Sequence, residues 1–416
     1  MSAILRRHSR TAAAKALRSP TTFKRTWTHL TRDADALKIS ALGDTAFPYI
    51  WLRDACQSEA CVHPSTRQKL FKTSDLPVDI APAAGEEGVR LTAKGVDILW
   101  ADGHQSSFSR KFLACHARPE ALAEYHHDNH IGEEAWTRAS ISRMSDLFVD
   151  YEGLNTPKGL VDAITQLAKY GLLFVRGVPN KETASEKCEL KALAERFGEI
   201  RPTFYGLLWD VVNLRDSKNI AYTNLDLGLH MDLLYFQHPP RYQILHCLRN
   251  QVVGGTSIFV DALHAAGVLR HTLPEDFAVL TQTPVSYHYV NDGHHLHREH
   301  PTIQLTPSGN DIAHINYSPP FQAPLPLSTP REFYPALRRF AELLNDEKNT
   351  YEYTLREGDA VLFDNRRVLH ARTAFSERPG QEAGVDGEPN RWLKGCYLEA
   401  DAVLDRMRVL RTKLEK

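Results

Sequence analysis

The sequence lacks any long apolar run and any excess of charge of one sign. None of its 416 residues belongs to an uninterrupted apolar stretch of about 18 residues, the length that suggests a membrane-spanning helix. Its 50 basic side chains are balanced by 51 acidic ones, for a formal net charge of -1. Nucleic-acid-binding surfaces usually carry a basic excess. We therefore expect neither a membrane span nor a nucleic-acid partner.

Cysteine is scarce. The chain has six cysteines, and only Cys56 and Cys61 lie close together in the sequence. This spacing argues against a disulfide framework and favours reduced thiols with at most a metal clip. Cys56 and Cys61 could form half of a zinc site, with His104 in the other half and His63 as a fourth ligand. The alternative is two buried thiols and two surface histidines.

Acidic residues are absent from residues 1–32, which are rich in arginine, serine, threonine and alanine. An acid-free, arginine-rich beginning is typical of a mitochondrial transit peptide. The alternative is a basic tail without a targeting role, in a cytoplasmic protein. We expect a mitochondrial location and leave this segment out of the fold prediction.

The remaining sequence is long enough for two domains, and 42% of the residues are hydrophobic. Residues 33–110 predict a small β-rich domain, because alternating segments begin at Leu37, Val89 and Val96. Residues 111–150 predict a connection with a helix or two. Residues 151–416 predict a larger domain that begins with a helix over 158–169 and continues mostly as short strands. One helix, over 331–344, is expected to interrupt these strands.

Two stretches of the larger domain predict turns. Gly254-Gly255 predicts a hairpin that joins the strands beginning at Tyr242 and Ser257. The histidine-rich stretch 287–301 contains Asn291-Asp-Gly, and its histidines fit no single strand or helix face. This pattern favours an exposed loop over a second metal site.

The strongest chemical signal is His230-x-Asp232. On a strand, residues two apart point to the same face, so both side chains can reach one ion. An apolar stretch beginning at Val361 ends in His370 and supplies a second imidazole. Two histidines and one carboxylate form the metal site of non-haem Fe(II) oxygenases. Alone, the pair would also fit a surface histidine beside a turn aspartate.

Further motifs resemble those of the 2-oxoglutarate dioxygenases of carnitine biosynthesis, γ-butyrobetaine dioxygenase and trimethyllysine dioxygenase. The motifs span both domains: 51–61, 100–104, 204–209, 219–223, 254–257, 364–365 and 391–397. The resemblance implies a mainly β protein with flanking helices. It implies a double-stranded β-helix (jelly-roll) catalytic domain, a small N-terminal zinc-binding domain and a homodimer.

The resemblance also assigns the metal and cosubstrate roles. It implies Fe(II) bound by the triad, zinc bound by Cys56, Cys61 and His104, and ascorbate as the reductant. It places the far carboxylate of 2-oxoglutarate on Arg391, whose planar fork matches a carboxylate. Arg372 is the second choice for this role, and Ser257 is a further hydroxyl donor.

A trimethylammonium group has no N–H to donate, so aromatic faces must recognise it, each contributing roughly 0.5–2 kcal/mol. By resemblance, this cage consists of Tyr205, Trp209, Tyr222 and Tyr397. The alternative is that these are ordinary core aromatics. Asn219 and Asn316 would donate to a substrate carboxylate.

This set favours γ-butyrobetaine and O2 as substrates and carnitine as the product. The alternatives are trimethyllysine, another small substrate of a paralogue, or a jelly-roll binding protein that retains the metal without the chemistry. Three positions depart from the family pattern. Arg366 replaces a common tryptophan, Leu233 an aromatic residue, and Ser58 a cysteine found in some members.

Overall fold

The computed structural model describes residues 27, 29–127, 131–212, 223–307, 309, 311–378 and 389–415. The chain divides into two compact units, Met1–Tyr125 and His126–Lys416. This division falls within residues 111–150, where the sequence predicts a connection. In the described residues no helix is long and apolar enough to cross a membrane.

The first unit contains two three-stranded antiparallel sheets, ordered β1-β2-β3 and β4-β5-β6. Its core includes Leu37, Leu52, Val96 and Trp100. The strands predicted at Leu37, Val89 and Val96 are confirmed. The elements are β1 Leu30–Arg32, β2 Ala36–Ile39, β3 Thr45–Pro48, α1 Tyr49–Asp54, β4 Val89–Leu91, β5 Gly95–Leu99, β6 Gln105–Ser109, α2 Arg110–His116 and α3 Pro119–Tyr125.

The second unit combines seven α-helices with seventeen strands among the described residues. Its helices are α4 Arg138–Ile141, α5 Pro157–Tyr170, α6 Glu189–Phe197, α7 Ala262–Thr272, α8 Pro274–Gln282, α9 Phe333–Leu344 and α10 Ala400–Leu414. Its strands are β7 Phe148–Asp150, β8 Leu172–Arg176, β9 Ile200–Arg201, β10 Trp209–Val212, β11 Leu227–His230, β12 Tyr242–Asn250, β13 Val253–Gly254, β14 Ser257–Asp261, β15 Pro284–Asn291, β16 His294–Pro301, β17 Ile303–Leu305, β18 Ile312–Ile315, β19 Thr350–Tyr353, β20 Ala360–Asp364, β21 Val368–Arg372, β22 Phe375–Ser376 and β23 Arg391–Leu398.

Two sheets of the second unit face each other. The major sheet has the order β10-β23-β12-β20-β8-β7, with β9 beside β23, and the minor sheet has the order β11-β21-β14-β19. Their inner faces meet in one apolar core: the ring of Phe259 lies 5.7 Å from the rings of Phe174 and Phe363. From β11 onwards the chain passes repeatedly between the sheets, from β11 to β12 to β14 and later from β19 to β20 to β21 to β23, so the arrangement is the expected double-stranded β-helix.

Local signals explain how helix α5 leads into this sheet. The Thr156 side chain accepts a hydrogen bond from the Gly159 N–H at 3.0 Å, and Pro157 occupies the first helical position. Gly171 ends the helix with φ 70°, a left-handed conformation that favours glycine. The chain then enters β8, which pairs with β20. The predicted helix over 158–169 is confirmed.

The predicted Gly254-Gly255 hairpin is wrong. Strand β12 belongs to the major sheet and β14 to the minor sheet, so the two strands are not paired. Gly254 and Gly255 have φ values of 89° and 68°, and the chain crosses between the sheets there. A Cβ on Gly255 would lie 3.0 Å from Arg391 Nε, so glycine also allows this arginine to approach.

The histidine-rich stretch is a β-hairpin, and the prediction of an exposed loop is wrong. Strands β15 and β16 pair along their whole length, from Pro284 opposite Pro301 to Asn291 opposite His294. The turn signal at Asn291-Asp-Gly marks only the tip. Most of these histidines are exposed, and in the described part of the chain they form no metal-binding group.

The prediction of one interrupting helix is also wrong, because α7 and α8 lie between β14 and β15. The buried face of α7 consists of Ala262, Ala265, Ala266 and Leu269. Its spacing is helical, but its small side chains give a weak apolar signal.

Candidate active site

Two neighbouring strands of the minor sheet bring the predicted triad together. His230 ends β11 and lies directly opposite His370 on β21, with their ring centroids 4.1 Å apart. Asp232 follows two residues later, and its Oδ1 lies 3.4 Å from His230 Nε2. One ligand atom from each residue lies within 4.8 Å of the others. This geometry can hold one metal ion.

Asn365 holds the backbone of Asp232. Its Oδ1 accepts a hydrogen bond from the Asp232 N–H at 2.8 Å, and its Nδ2 donates to the Asp232 carbonyl at 3.0 Å. Asn365 is fully buried. Leu233 follows with φ 61°, so the chain turns sharply after the carboxylate. The turn aims the Asp232 side chain back towards the imidazoles.

The protonation states of Asp232 and His370 suit metal binding. Burial alone would raise the pKa of Asp232, but the hydrogen bond with His230 and the electrostatic interaction with His370 hold it well below its usual range. Burial and the neighbouring His230 lower the pKa of His370 to about 3. The Tyr397 hydroxyl donates to Asp232 Oδ2 at 2.8 Å. Neutral imidazoles and an ionised carboxylate are the forms that bind metals.

A cavity opens from the triad towards two arginines, Arg372 and Arg391, and Ser257 also lines it. The Arg372 guanidinium donates to the Thr223 carbonyl at 2.8 Å. Arg391 is only 5% exposed, and its Nε has no hydrogen-bond partner in the described residues. Burial and the positive charge of Arg372 lower the pKa of Arg391 to about 10. A buried, unmatched guanidinium fits an anionic ligand.

The donor set fits the groups that the sequence predicts. Two imidazoles and one carboxylate match non-haem Fe(II), and Arg391 offers a fork for the far carboxylate of 2-oxoglutarate.

Comparison with known proteins agrees with this geometry. The family model for taurine catabolism dioxygenase TauD, TfdA family matches residues 147–397. The chain belongs to the TauD/TfdA family. It is therefore an Fe(II)- and 2-oxoglutarate-dependent dioxygenase. A second model, for the N-terminal part of γ-butyrobetaine hydroxylase-like proteins, matches residues 28–114.

Curated relatives cover most of the dioxygenase. Dioxygenase str8 of Strobilurus tenacellus is 57% identical, over 91% of this chain and 88% of that protein. The γ-butyrobetaine dioxygenase of Pseudomonas sp. (strain AK-1) is 33% identical, over 88% of this chain and 90% of that protein. The mitochondrial trimethyllysine dioxygenase of Gallus gallus is 31% identical, over 88% and 83% respectively.

Three of the four residues predicted to form the aromatic cage, Tyr205, Trp209 and Tyr397, lie among the described residues. The rings of Trp209 and Tyr397 are 5.3 Å apart. Trp209 lies across Gly395, where a Cβ would come within 2.3 Å of the indole. The Tyr205 hydroxyl lies 3.4 Å from that of Tyr235. Tyr222 lies outside the described residues.

The two asparagines proposed for a substrate carboxylate are less informative. Asn219 lies outside the described residues. Asn316 is fully buried, donates to the Pro301 carbonyl at 2.7 Å and does not line the cavity at the triad.

Three residues of the site were not predicted from sequence. Tyr235 extends the aromatic wall, and Asn365 appeared in a recognised motif without a role. Gln243 lines the cavity, and its buried Oε1 has no hydrogen-bond partner in the described residues. Gln243 lies in a strand of nine residues, β12, most of them buried, and only its polar side chain within an apolar run could have indicated it.

Cys56, Cys61 and His104 form a second group in the first unit. His104 Nε2 lies 3.3 Å from Cys56 Sγ and 3.4 Å from Cys61 Sγ. Burial would raise the pKa of Cys56, but hydrogen bonds with His104 and other neighbours lower it to about 7. His63 does not join the group, so the structure does not support it as the fourth ligand.

Proposed function

We propose that this dioxygenase hydroxylates a small trimethylammonium compound, with γ-butyrobetaine as the substrate and carnitine as the product. The observation that carries the proposal is the aromatic wall of Trp209 and Tyr397 beside the triad. The Tyr397 hydroxyl reaches Asp232, so a cation against this wall would lie close to the metal.

In this proposal, His230, Asp232 and His370 hold Fe(II), and Arg391 holds the far carboxylate of 2-oxoglutarate. When bound, the iron and cosubstrate would supply the oxidant: 2-oxoglutarate, O2 and the substrate would yield succinate, CO2 and the hydroxylated substrate. Ser257 lines the same cavity and is a further donor to the cosubstrate. Ascorbate would serve as the external reductant.

The chain's own task is to position the substrate cation. The faces of Trp209 and Tyr397 attract a quaternary ammonium, which hydrogen bonds cannot recognise. Tyr205 and Tyr235 extend this wall: their hydroxyl oxygens lie 3.4 Å apart, and both lie close enough to Tyr397 to add to the rise in its pKa that burial causes. Asn219 would separate the two candidate substrates, since an amide N–H suits the γ-butyrobetaine carboxylate whereas trimethyllysine also carries an α-ammonium group.

A side-by-side assay tests the substrate. The purified chain, with Fe(II), ascorbate and 2-oxoglutarate, is offered γ-butyrobetaine and trimethyllysine, and products are identified by mass spectrometry. Hydroxylated γ-butyrobetaine supports the proposal. Hydroxylation of trimethyllysine alone would contradict the substrate, and reaction with neither would contradict the role of the aromatic wall.

We also propose that Cys56, Cys61 and His104 bind a structural zinc ion. The three donors are of the kind that zinc prefers, and the iron site in the other unit already accounts for the chemistry. Metal analysis should find zinc that remains after iron is removed. Absence of zinc, together with unchanged folding of Cys61→Ser, would contradict this assignment.

The resemblance further supports a homodimer, and residues 1–32 support import into mitochondria. Light scattering at micromolar concentration tests the first point, and a monomer would contradict it. Import into isolated mitochondria tests the second, and loss of import after deletion of residues 1–32 is the expected result.

A further inference from the structure

A second cleft in the larger unit shares no lining residue with the cavity at the triad. It has a volume of about 360 Å³, and its walls include Arg241, His300, His314 and Arg366. This cleft, defined by these four side chains, is rich in cationic and N–H-donating groups. The established dioxygenase chemistry uses none of them.

Arg366 is the unusual member of the cleft. Its side chain is only 5% exposed, and within the described residues its guanidinium forms no hydrogen bond or ion pair. Burial and repulsion by Arg241 lower the pKa of Arg366 to about 10. Buried charges in proteins are normally paired, because an unpaired ion is costly to remove from water. Among the described residues, therefore, no carboxylate pairs directly with the Arg366 guanidinium, and Asp364, whose charge reaches it, is engaged by Arg241.

The nearby carboxylates are already engaged with other arginines. Arg241 lies 2.6 Å from Asp364 and 2.8 Å from Glu133. Glu399, which also lines the cleft, pairs with Arg201. Within the described residues, these contacts leave the Arg366 guanidinium at the cleft without an acceptor.

His314 adds a second hydrogen-bond donor, because its contact with Arg241 fixes the tautomer of its ring. Its Nδ1 lies 3.3 Å from Arg241 Nη1. Because arginine can only donate, Nδ1 must accept, and the proton of the neutral ring is therefore on Nε2. His300 is held separately, since its Nε2 lies 3.1 Å from the Phe236 carbonyl and must donate to it.

We propose that this cleft binds a small oxyanion, of the phosphate or carboxylate type, through the Arg366 guanidinium with His314 Nε2–H as a second donor. The planar fork of arginine matches two oxygens of such an anion. The ligand would supply the missing counter-charge. The site is separate from the one that holds 2-oxoglutarate.

Calorimetric titration of the metal-loaded chain tests the proposal. The protein is kept anaerobic with Fe(II) and saturating 2-oxoglutarate, so that the cavity at the triad is occupied. Inorganic phosphate and succinate are then titrated separately at constant ionic strength, which distinguishes a phosphate-type from a carboxylate-type ligand. We expect saturable binding of one anion per chain.

Variants locate the binding. Arg366→Gln should weaken anion binding about tenfold to a hundredfold, as expected for loss of charge-assisted hydrogen bonds. Arg338→Gln is the matched control, because Arg338 is exposed on α9 and pairs with Glu342 in the next turn. The affinity of this variant for the anion should not change. If Arg366→Gln fails to fold, His314→Gln should still weaken binding severalfold. Absence of saturable binding, or equal affinity in wild type and the cleft variants, would overturn the proposal.

Discussion

At the scale of single residues, Arg391 is the clearest target for the cosubstrate. Its buried Nε has no partner among the described residues, and Gly255 leaves room for it. We predict that Arg391→Gln raises the KM for 2-oxoglutarate about tenfold to a hundredfold, because a charge-assisted pair is lost. The KM of Arg391→Lys should lie between those of wild type and Arg391→Gln, since lysine keeps the charge but not the planar fork of arginine.

The measurement is succinate formation against 2-oxoglutarate concentration. Arg338→Gln, which removes an exposed charge, serves as the control. An unchanged KM in Arg391→Gln would exclude this residue as the carboxylate anchor and favour Arg372.

Asn365 should affect the metal without touching it. Its side chain bonds both the N–H and the carbonyl of Asp232, and it also donates to the Pro240 carbonyl at 3.2 Å. We predict that Asn365→Ala weakens metal binding about tenfold to a hundredfold, the usual effect of removing a residue that orients a ligand. Anaerobic titration with Fe(II) measures this. Wild-type affinity in a folded variant would show that the turn after β11 holds Asp232 unaided.

At the scale of elements, the pairing of β10 with β23 fixes the aromatic wall. Trp209 lies opposite Gly395 in this ladder, and a Cβ on Gly395 would come within 2.3 Å of the indole. We predict that Gly395→Ala displaces the ring, raises the KM for the trimethylammonium substrate and destabilises the chain by about 1–3 kcal/mol.

Gly267→Ala is the matched control, because this α7 position has no atom within 4 Å of an added Cβ. It should leave KM unchanged and stabilise the chain by about 0.5–1 kcal/mol, because alanine favours a helix. An unchanged KM in Gly395→Ala would contradict a substrate contact at Trp209.

The sequence predicted the elements that carry strong local signals. Helix α5 has a capping threonine, a proline at its start and a glycine at its end, and the strands of the core have buried apolar runs. The crossing at Gly254-Gly255 could not be predicted, because a pair of glycines permits a turn without specifying which sheet the next strand joins. Helix α7 could not be predicted either, because its buried face consists mostly of alanines, whose small side chains give a weak apolar signal.

The candidate site shows a similar division. His230 and Asp232 are two residues apart on one strand, so their shared face follows from local geometry. His370 was assigned to the triad because the metal site of non-haem Fe(II) oxygenases needs a second imidazole, and its register opposite His230 needed the fold. Gln243 enters the site only because the fold brings β12 beside the triad, whereas Tyr235 lies in the turn that follows Asp232.

At the scale of the whole molecule, buried histidines should make the fold sensitive to acid. Burial lowers the pKa of His246 to about 4, whereas an unfolded histidine has a pKa of about 6.5. Below about pH 6.5 the unfolded chain binds a proton that the folded chain excludes. The contribution of His246 to the free energy of unfolding is therefore complete above that pH. It falls by about 1.4 kcal/mol per pH unit as the pH is lowered to about 4.

Urea unfolding at pH 7.0 and 5.0 checks this prediction. His246→Gln should reduce the loss of unfolding free energy between the two pH values, whatever its effect on absolute stability. His271→Gln, at an exposed position on α7, should keep the wild-type pH dependence. An identical pH dependence in all three proteins would contradict a neutral buried His246.

The central claim is that His230, Asp232 and His370 hold the iron of a 2-oxoglutarate-dependent dioxygenase. Its most direct test is succinate formation by wild type, His230→Ala and His370→Ala, with Fe(II), 2-oxoglutarate, O2 and γ-butyrobetaine. His297→Ala, at an exposed position on β16, is the control. We predict iron-dependent succinate from wild type and the control, and none above background from the two triad variants. Wild-type succinate formation by His230→Ala would contradict the account.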